Sequence, residues 1–218
     1  MNTTIKYIIS LEGNIGAGKS TLMSLLEEKL KDRVEFIYEP VDEWIEIKDK
    51  NNNNLLDTFY KDKNRWSYTF QSVAYITRMN KIMEKMCNSN KEIIIMDRSL
   101  EGDYNTFTKM LREEDSINEI EWQCYMKWYK FFSTYIGKNI KHKYIYLRCD
   151  PSVAISRISK RNREEEKNIS IDYINKLHEC HESWMKEEEY VYNFNVNKDF
   201  VFNENKKTKI LNWILNCN

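Results

Sequence analysis

The chain has 218 residues and balances 34 Lys plus Arg against 34 Asp plus Glu, so its formal net charge is zero. That length suits a single domain over residues 1–218 with a core of its own, and the charge balance argues against a nucleic-acid binder held by a bulk basic field. A mean hydropathy of −0.72, without an apolar run near the ~18 residues that a membrane span needs, excludes a spanning helix.

In chain order, short apolar runs predict strands at Ile5–Leu11, Val34–Tyr38, Glu92–Met96, Lys143–Cys149 and Tyr192–Val196. Helix-length segments lie between and after them, at Ser20–Leu30, Arg65–Met86, Leu100–Leu111, Glu119–Tyr135, Ser152–Ser159, Ile171–Glu188 and Lys206–Leu215. Strands alternating with helices predict an α/β fold, a parallel five-stranded sheet flanked by helices on both faces. The long helical stretches between the second and fourth strands form an added layer. Asn51–Asn54 is the one low-complexity patch and reads as a surface loop. Five cysteines, scattered and without a Cys-x-x-Cys pair, suit a reducing compartment. No apolar signal segment precedes the first strand, so a cytoplasmic location is expected.

Glycine is scarce, five in all, and three of them (Gly13, Gly16 and Gly18) fall within six residues. Gly13-Asn14-Ile15-Gly16-Ala17-Gly18-Lys19-Ser20 fits Gly-x-x-x-x-Gly-Lys-Ser directly after a predicted strand and before a predicted helix. Such a loop converges backbone N–H groups on phosphate oxygens, and the helix N-terminus adds partial positive charge. Lys19 would reach the β- and γ-phosphates, and the Ser20 hydroxyl would help to hold Mg²⁺. A bare glycine turn is the structural alternative, but a Lys behind a tight loop brings no packing benefit. Asp97 ends the apolar run Ile93–Met96 at the carboxyl edge of the sheet, where ligands of open α/β sheets bind, and supplies a second metal-side group.

Glu39 closes the second strand and is locked by Pro40. It suits a carboxylate that accepts a proton from an attacking hydroxyl, with Arg98 screening charge beside it. Gln71, Ala74 and Arg78 share one helical face amid Trp44, Phe59, Tyr60, Trp66, Tyr68, Phe70 and Tyr75, an arrangement that could read the edge of a planar base. Most of those aromatics read equally as core. Arg157, Lys160, Arg161 and Arg163 before Glu164-Glu165-Glu166 form either a solvated charged face or a lid over phosphates at about 157–167. His178 and His181, with Cys180 between, lack a third ligand at zinc-like spacing. The stripe Trp122, Tyr125, Tyr129, Phe132, with Trp128, reads as core or as a subunit interface.

Together these motifs resemble the deoxyribonucleoside kinase family, in its deoxycytidine, deoxyguanosine and mitochondrial thymidine kinase branch. The carriers are Glu12–Thr21, Glu39–Trp44, Arg65–Gln71, Asp97–Ser99, Arg161–Glu166 and His181–Trp184, in the family's order from about residue 5 to about residue 200. The resemblance implies a P-loop kinase fold and transfer of the ATP γ-phosphate, with Mg²⁺, to a deoxyribonucleoside 5′-hydroxyl. Glu39 would be the general base, assisted by Arg98, and Asp97 would sit on the Mg²⁺ side, where several relatives carry Glu. Tyr60 and Glu166 would grip the sugar 3′-hydroxyl, and Trp44, Leu56, Phe70 and Phe107 would wall the base. Gln71, Ala74, Arg78 and Asp103 would border its edge. Arg157, Arg161 and Arg163 would be lid arginines, Thr21 would join the phosphate loop, and Asp199 and Phe200 would lie near the donor base. It further implies a homodimer and nucleotide salvage, with neither nucleic acid nor membrane as a partner.

An acceptor at Asp103 and donors at Arg78 favour deoxyadenosine, deoxycytidine or deoxyguanosine over thymidine. Two rivals remain at this level. A nucleoside monophosphate kinase would have an anionic acceptor with little need of Glu39, and a non-catalytic nucleotide switch would need an Asn-Lys-x-Asp signature after an apolar strand, which the sequence lacks.

Overall fold

The structure, a computed structural model, describes residues 3–136, 140–167, 169–201 and 203–216. Gly137 and Cys217 lie outside those residues. Among the described residues β1 (Tyr7–Glu12), β2 (Glu35–Ile37), β3 (Ile93–Asp97), β4 (Lys141–Arg148) and β5 (Val191–Asn195) form one sheet. Its order is β2-β3-β1-β4-β5, and every pair is parallel. The predicted strands are all present, with ends moved by one or two residues.

Alternation along the central strand explains why both faces are covered. Ile9 and Leu11 point into a core shared with Leu22, Met23 and Leu26 of α1 (Lys19–Leu30), Ala154 of α8 (Pro151–Arg161) and Ile210 of α10 (Glu204–Leu215). Ile8 points the other way, to Tyr75, Met79 and Ile82 of α4 (Lys63–Asn88) and Tyr125 of α7 (Glu119–Ile136). Strands buried on both sides read as continuous apolar runs, which made them legible.

Three features differ from expectation. Two short helices, α2 (Val41–Glu46) and α3 (Leu55–Lys61), escaped the periodicity reading because neither completes enough turns for an apolar stripe. The Asn51–Asn54 patch is the exposed turn before α3, and its last residue caps that helix, Asn54 accepting from the Asp57 N–H at 2.8 Å. The segment Leu100–Leu111 is not one helix. It divides into a single turn α5 (Leu100–Gly102), a π-helical turn Asp103–Thr108, and α6 (Lys109–Glu113). The wider turn re-aims Asp103 and Phe107, which apolar spacing does not record. The expected lid at 157–167 is half helix: α8 runs to Arg161 and ends on a left-handed Asn162 (φ 50°), so the loop itself begins there, followed by a 3₁₀ turn at Glu164–Glu166. Then follows α9 (Ile171–Glu187), close to prediction.

The carboxyl ends of β1, β3 and β2 lie side by side, so the chain leaves the sheet there into the phosphate loop, Arg98 and Glu39.

Candidate active site

The loop after β1 closes tightly against its neighbours. A Cβ on Gly13 would stand 2.6 Å from the Leu147 carbonyl, and one on Gly16 2.6 Å from the Ala154 carbonyl, with backbone φ of 145° and 78°. Gly18 (φ 94°) precedes the first turn of α1. Asn14 and Ala17 build the loop from behind: Asn14 Nδ2 donates to the Ile174 carbonyl at 2.8 Å and its Oδ1 accepts from the Ile15 N–H at 2.9 Å, while Ala17 is fully buried. Ile15, Gly16, Gly18, Lys19, Ser20 and Thr21 face a cavity of about 450 Å³. Lys19 Nζ donates to the Gly13 and Asn14 carbonyls, both at 3.1 Å, and burial lowers its pKa to about 8.

Across the loop, Ser20 Oγ donates to Asp97 Oδ2 at 3.1 Å, while Asp97 Oδ1 is buried with no partner. Burial raises the Asp97 pKa, although Lys19 opposes it. A hydroxyl beside an unsatisfied carboxylate oxygen is a donor set of hard oxygens, which suits Mg²⁺.

Glu39 reaches the same cavity from the end of β2. Its Oε1 lies 3.3 Å from Arg78 Nη2 and 3.3 Å from Arg98 Nε. Burial pushes the carboxyl up, but Arg98, Arg78 and Lys19 outweigh it and hold it below the usual range. Arg98 itself takes a left-handed backbone (φ 65°), donates Nη1 to the Gly13 carbonyl at 3.0 Å and lays its guanidinium 4.6 Å from the Phe107 ring centroid.

Arg78 is 1% exposed. It forks onto Asp103 (Nε–Oδ2 2.8 Å, Nη2–Oδ1 3.1 Å) and donates Nη1 to the Asp97 carbonyl at 3.0 Å. Gln71 and Ala74 are buried on the same face of α4, and Thr108 Oγ1 donates to Gln71 Oε1 at 3.4 Å. Trp44 and Phe70 meet edge to face at 5.2 Å, with Leu56 and Tyr60 completing that wall. Burial raises the Tyr60 phenol pKa, and Glu166 adds to the rise. Glu166, also buried, is held by Arg161 (Nε–Oε2 3.1 Å, Nη2–Oε1 2.5 Å), with Arg163 Nη1 3.6 Å away.

Not every candidate reaches the cavity. Arg157 is tied to the fold, Nη2 donating to the Val196 carbonyl at 2.6 Å and Nη1 to that of Ala17 at 3.4 Å. Phe200 is buried, its ring 3.3 Å from where a Gly18 Cβ would stand, but Asp199 is exposed and accepts from the Val201 N–H. Conversely, Tyr38, Asp42 and Glu165 line the cavity without having been singled out; their only sequence signal was adjacency to Glu39 and Glu166. Glu12, fully buried beside the loop, was also passed over. Away from the cavity, His181 hydrogen-bonds the Leu177 carbonyl through Nδ1 at 2.6 Å and stacks on Tyr146, and Tyr125, Tyr129 and Phe132 of the aromatic stripe pack on Tyr75.

A family model described as deoxynucleoside kinase matches residues 9–217. The chain is 36% identical over 209 residues to a probable deoxycytidine kinase of fowlpox virus, covering 93% of this chain and 84% of the relative. It is 34% identical to human deoxycytidine kinase over 200 residues (84% and 76% of the two chains). To the mitochondrial deoxyguanosine kinase of Xenopus laevis it is 33% identical over 192 residues (81% and 72%). Matched by that family model over nearly its whole length and by these relatives at 33–36% identity, the chain belongs to the deoxynucleoside kinase family.

Proposed function

We propose that this kinase transfers the γ-phosphate of ATP to the 5′-hydroxyl of a deoxyribonucleoside, with deoxycytidine, deoxyadenosine or deoxyguanosine preferred over thymidine. The observation that carries the reading is Glu39, an acceptor-side carboxylate held between two arginines across the cavity from Lys19 and Ser20. Glu39 takes the hydroxyl proton as that oxygen bonds to the γ-phosphorus, and the bond from phosphorus to the β–γ bridging oxygen breaks, releasing ADP. Lys19 and Arg98 offset the charge on the phosphoryl oxygens. Ser20 and Asp97 would hold Mg²⁺, which when bound neutralises phosphate charge. The Gly13–Thr21 loop cradles the triphosphate, and Phe200 borders the donor end.

On the acceptor side, Trp44, Leu56, Phe70 and Phe107 sandwich the base. Gln71 and the Arg78–Asp103 pair meet its edge, and Ala74 leaves it room. Asp103 accepts from an exocyclic amine, which thymine lacks, and the names of the relatives favour the same choice. Tyr60 and Glu166 take the 3′-hydroxyl, and Arg161 and Arg163 close on the phosphates. The reading extends to a homodimer in a reducing, cytoplasmic setting, supported by the apolar face of α7 and by cysteines without disulfides among the described residues. The test is kcat/KM for the four deoxynucleosides with ATP and Mg²⁺, monitoring monophosphate formation. Thymidine as best substrate would overturn the base assignment, and phosphorylation of dAMP rather than deoxyadenosine would overturn the acceptor.

A further inference from the structure

Glu12 is the last residue of β1, fully buried, and none of the roles above uses it. Its Oε1 accepts two hydrogen bonds from one residue across the strand ends, the Ser99 N–H at 2.8 Å and the Ser99 hydroxyl at 2.6 Å. Ser99 Oγ in turn accepts from the Gly102 N–H at 2.8 Å and so caps α5. Between these anchors lies Arg98, whose own N–H donates to the Leu11 carbonyl at 3.0 Å. A non-glycine residue at φ 65° is strained and persists only where its surroundings over-determine it. Here the over-determination comes from β1: Leu11 holds the residue itself and Glu12 holds the next.

We propose that Glu12 is the positioning residue of the Arg98 corner: by gripping Ser99 it keeps Arg98 in the left-handed conformation that sets its guanidinium between Glu39 and the Gly13 carbonyl. This rests on the reading that Arg98 acts at the acceptor oxygen. An acceptor, not a fixed charge, is what the arrangement requires. Burial raises the Glu12 pKa to about 7, and Oε2 has no partner, so a proton there leaves Oε1 free to receive Ser99. The same geometry accounts for Gly102. A Cβ on it would lie 2.6 Å from Glu12 Oε2, and its φ of −62° is ordinary helix, so the glycine is needed for space alone.

Steady-state kinetics of Glu12→Ala, Glu12→Gln, Gly102→Ala, the Glu12→Ala/Gly102→Ala double variant and Arg98→Ala test this, with circular dichroism and ATP-binding calorimetry on each. The expected result is a kcat about 100-fold lower for Glu12→Ala, with deoxynucleoside KM and ATP affinity nearly unchanged. Glu12→Gln should retain most of kcat, because the amide oxygen still accepts from Ser99. Gly102→Ala, which helix propensity alone would favour, should lower kcat by pushing the carboxyl off Ser99, and should add nothing in the double variant.

Wild-type kcat in both Glu12→Ala and Gly102→Ala overturns the proposal, as does Glu12→Gln falling as low as Glu12→Ala. Equal losses in kcat, KM and ATP binding would mean that Glu12 merely supports the fold, and would overturn it too. If Glu12→Ala does not fold, Glu12→Gln and Gly102→Ala decide. Wild-type kcat in Arg98→Ala would sink the assigned role of Arg98 and this proposal with it; impairment there without any in the Glu12 and Gly102 variants would sink this proposal alone.

Discussion

Glu39 and Glu12 stand at the ends of the two strands that flank β3, and their surroundings push their carboxyls in opposite directions. Three cations around Glu39 hold it below the usual carboxylate range despite burial. Glu12 has weaker help from Arg98 and Lys19, and burial lifts it to about 7. The difference suits their tasks, since a base must be ionised before it can take a proton. Glu39→Gln keeps the shape and removes the basicity. Its kcat should fall by about 10²–10⁴-fold, while ATP affinity measured by calorimetry stays near wild type; a kcat within a factor of a few would refute Glu39 as base.

Among the elements, α9 supports the phosphate loop from outside the cavity. Its Ile174 carbonyl receives Asn14 of the phosphate loop, and its N-terminus is capped by Ser170, whose hydroxyl accepts from the Tyr173 N–H at 3.1 Å. Ser170→Ala leaves that N–H without its cap, at a cost of about 1 kcal/mol. For a chain of this size the melting temperature should drop by roughly 2–4 °C, with kcat little changed, measurable by calorimetry and steady-state assay. The π-helical turn after α5 acts differently: it adds no predictable stability, but it sets Asp103 opposite Arg78 and Phe107 under Arg98.

Over the whole molecule, zero net charge coexists with a dense cluster of buried charges of both signs at one place. Lys19, Arg78 and Arg98 are all buried around the cavity, matched by Glu12, Glu39, Asp97 and Asp103. The triphosphate and Mg²⁺ would enter a site whose charges are already paired and would exchange partners there. The outer face of α7 offers a second whole-molecule feature. Ile120 is 76% exposed, Trp128 46% and Phe131 50%, a concentration of large apolar side chains on one helix that suits association. Light scattering after size exclusion should therefore give twice the 26.5 kDa chain mass, and Trp128→Glu should shift it toward a single chain. A wild type that runs as a monomer would remove the dimer.

The strands, the phosphate loop and the gathering of Glu39, Asp97 and Arg98 at one sheet edge were legible from the residues alone, because doubly buried parallel strands are apolar runs and a phosphate loop is a local pattern of glycines. Local sequence also marked Gln71, Ala74 and Arg78 as one face of a helix. What it could not rank was partnership between distant segments. Whether Arg161 meets phosphate or Glu166, whether Arg157 faces the cavity or the fold, and how Leu100–Leu111 divides all depend on contacts made only when the chain closes. Glu12 is the clearest instance: in sequence it is one acid before a glycine, and only the side-by-side ends of β1 and β3 bring its carboxylate to Ser99 and its neighbour Arg98.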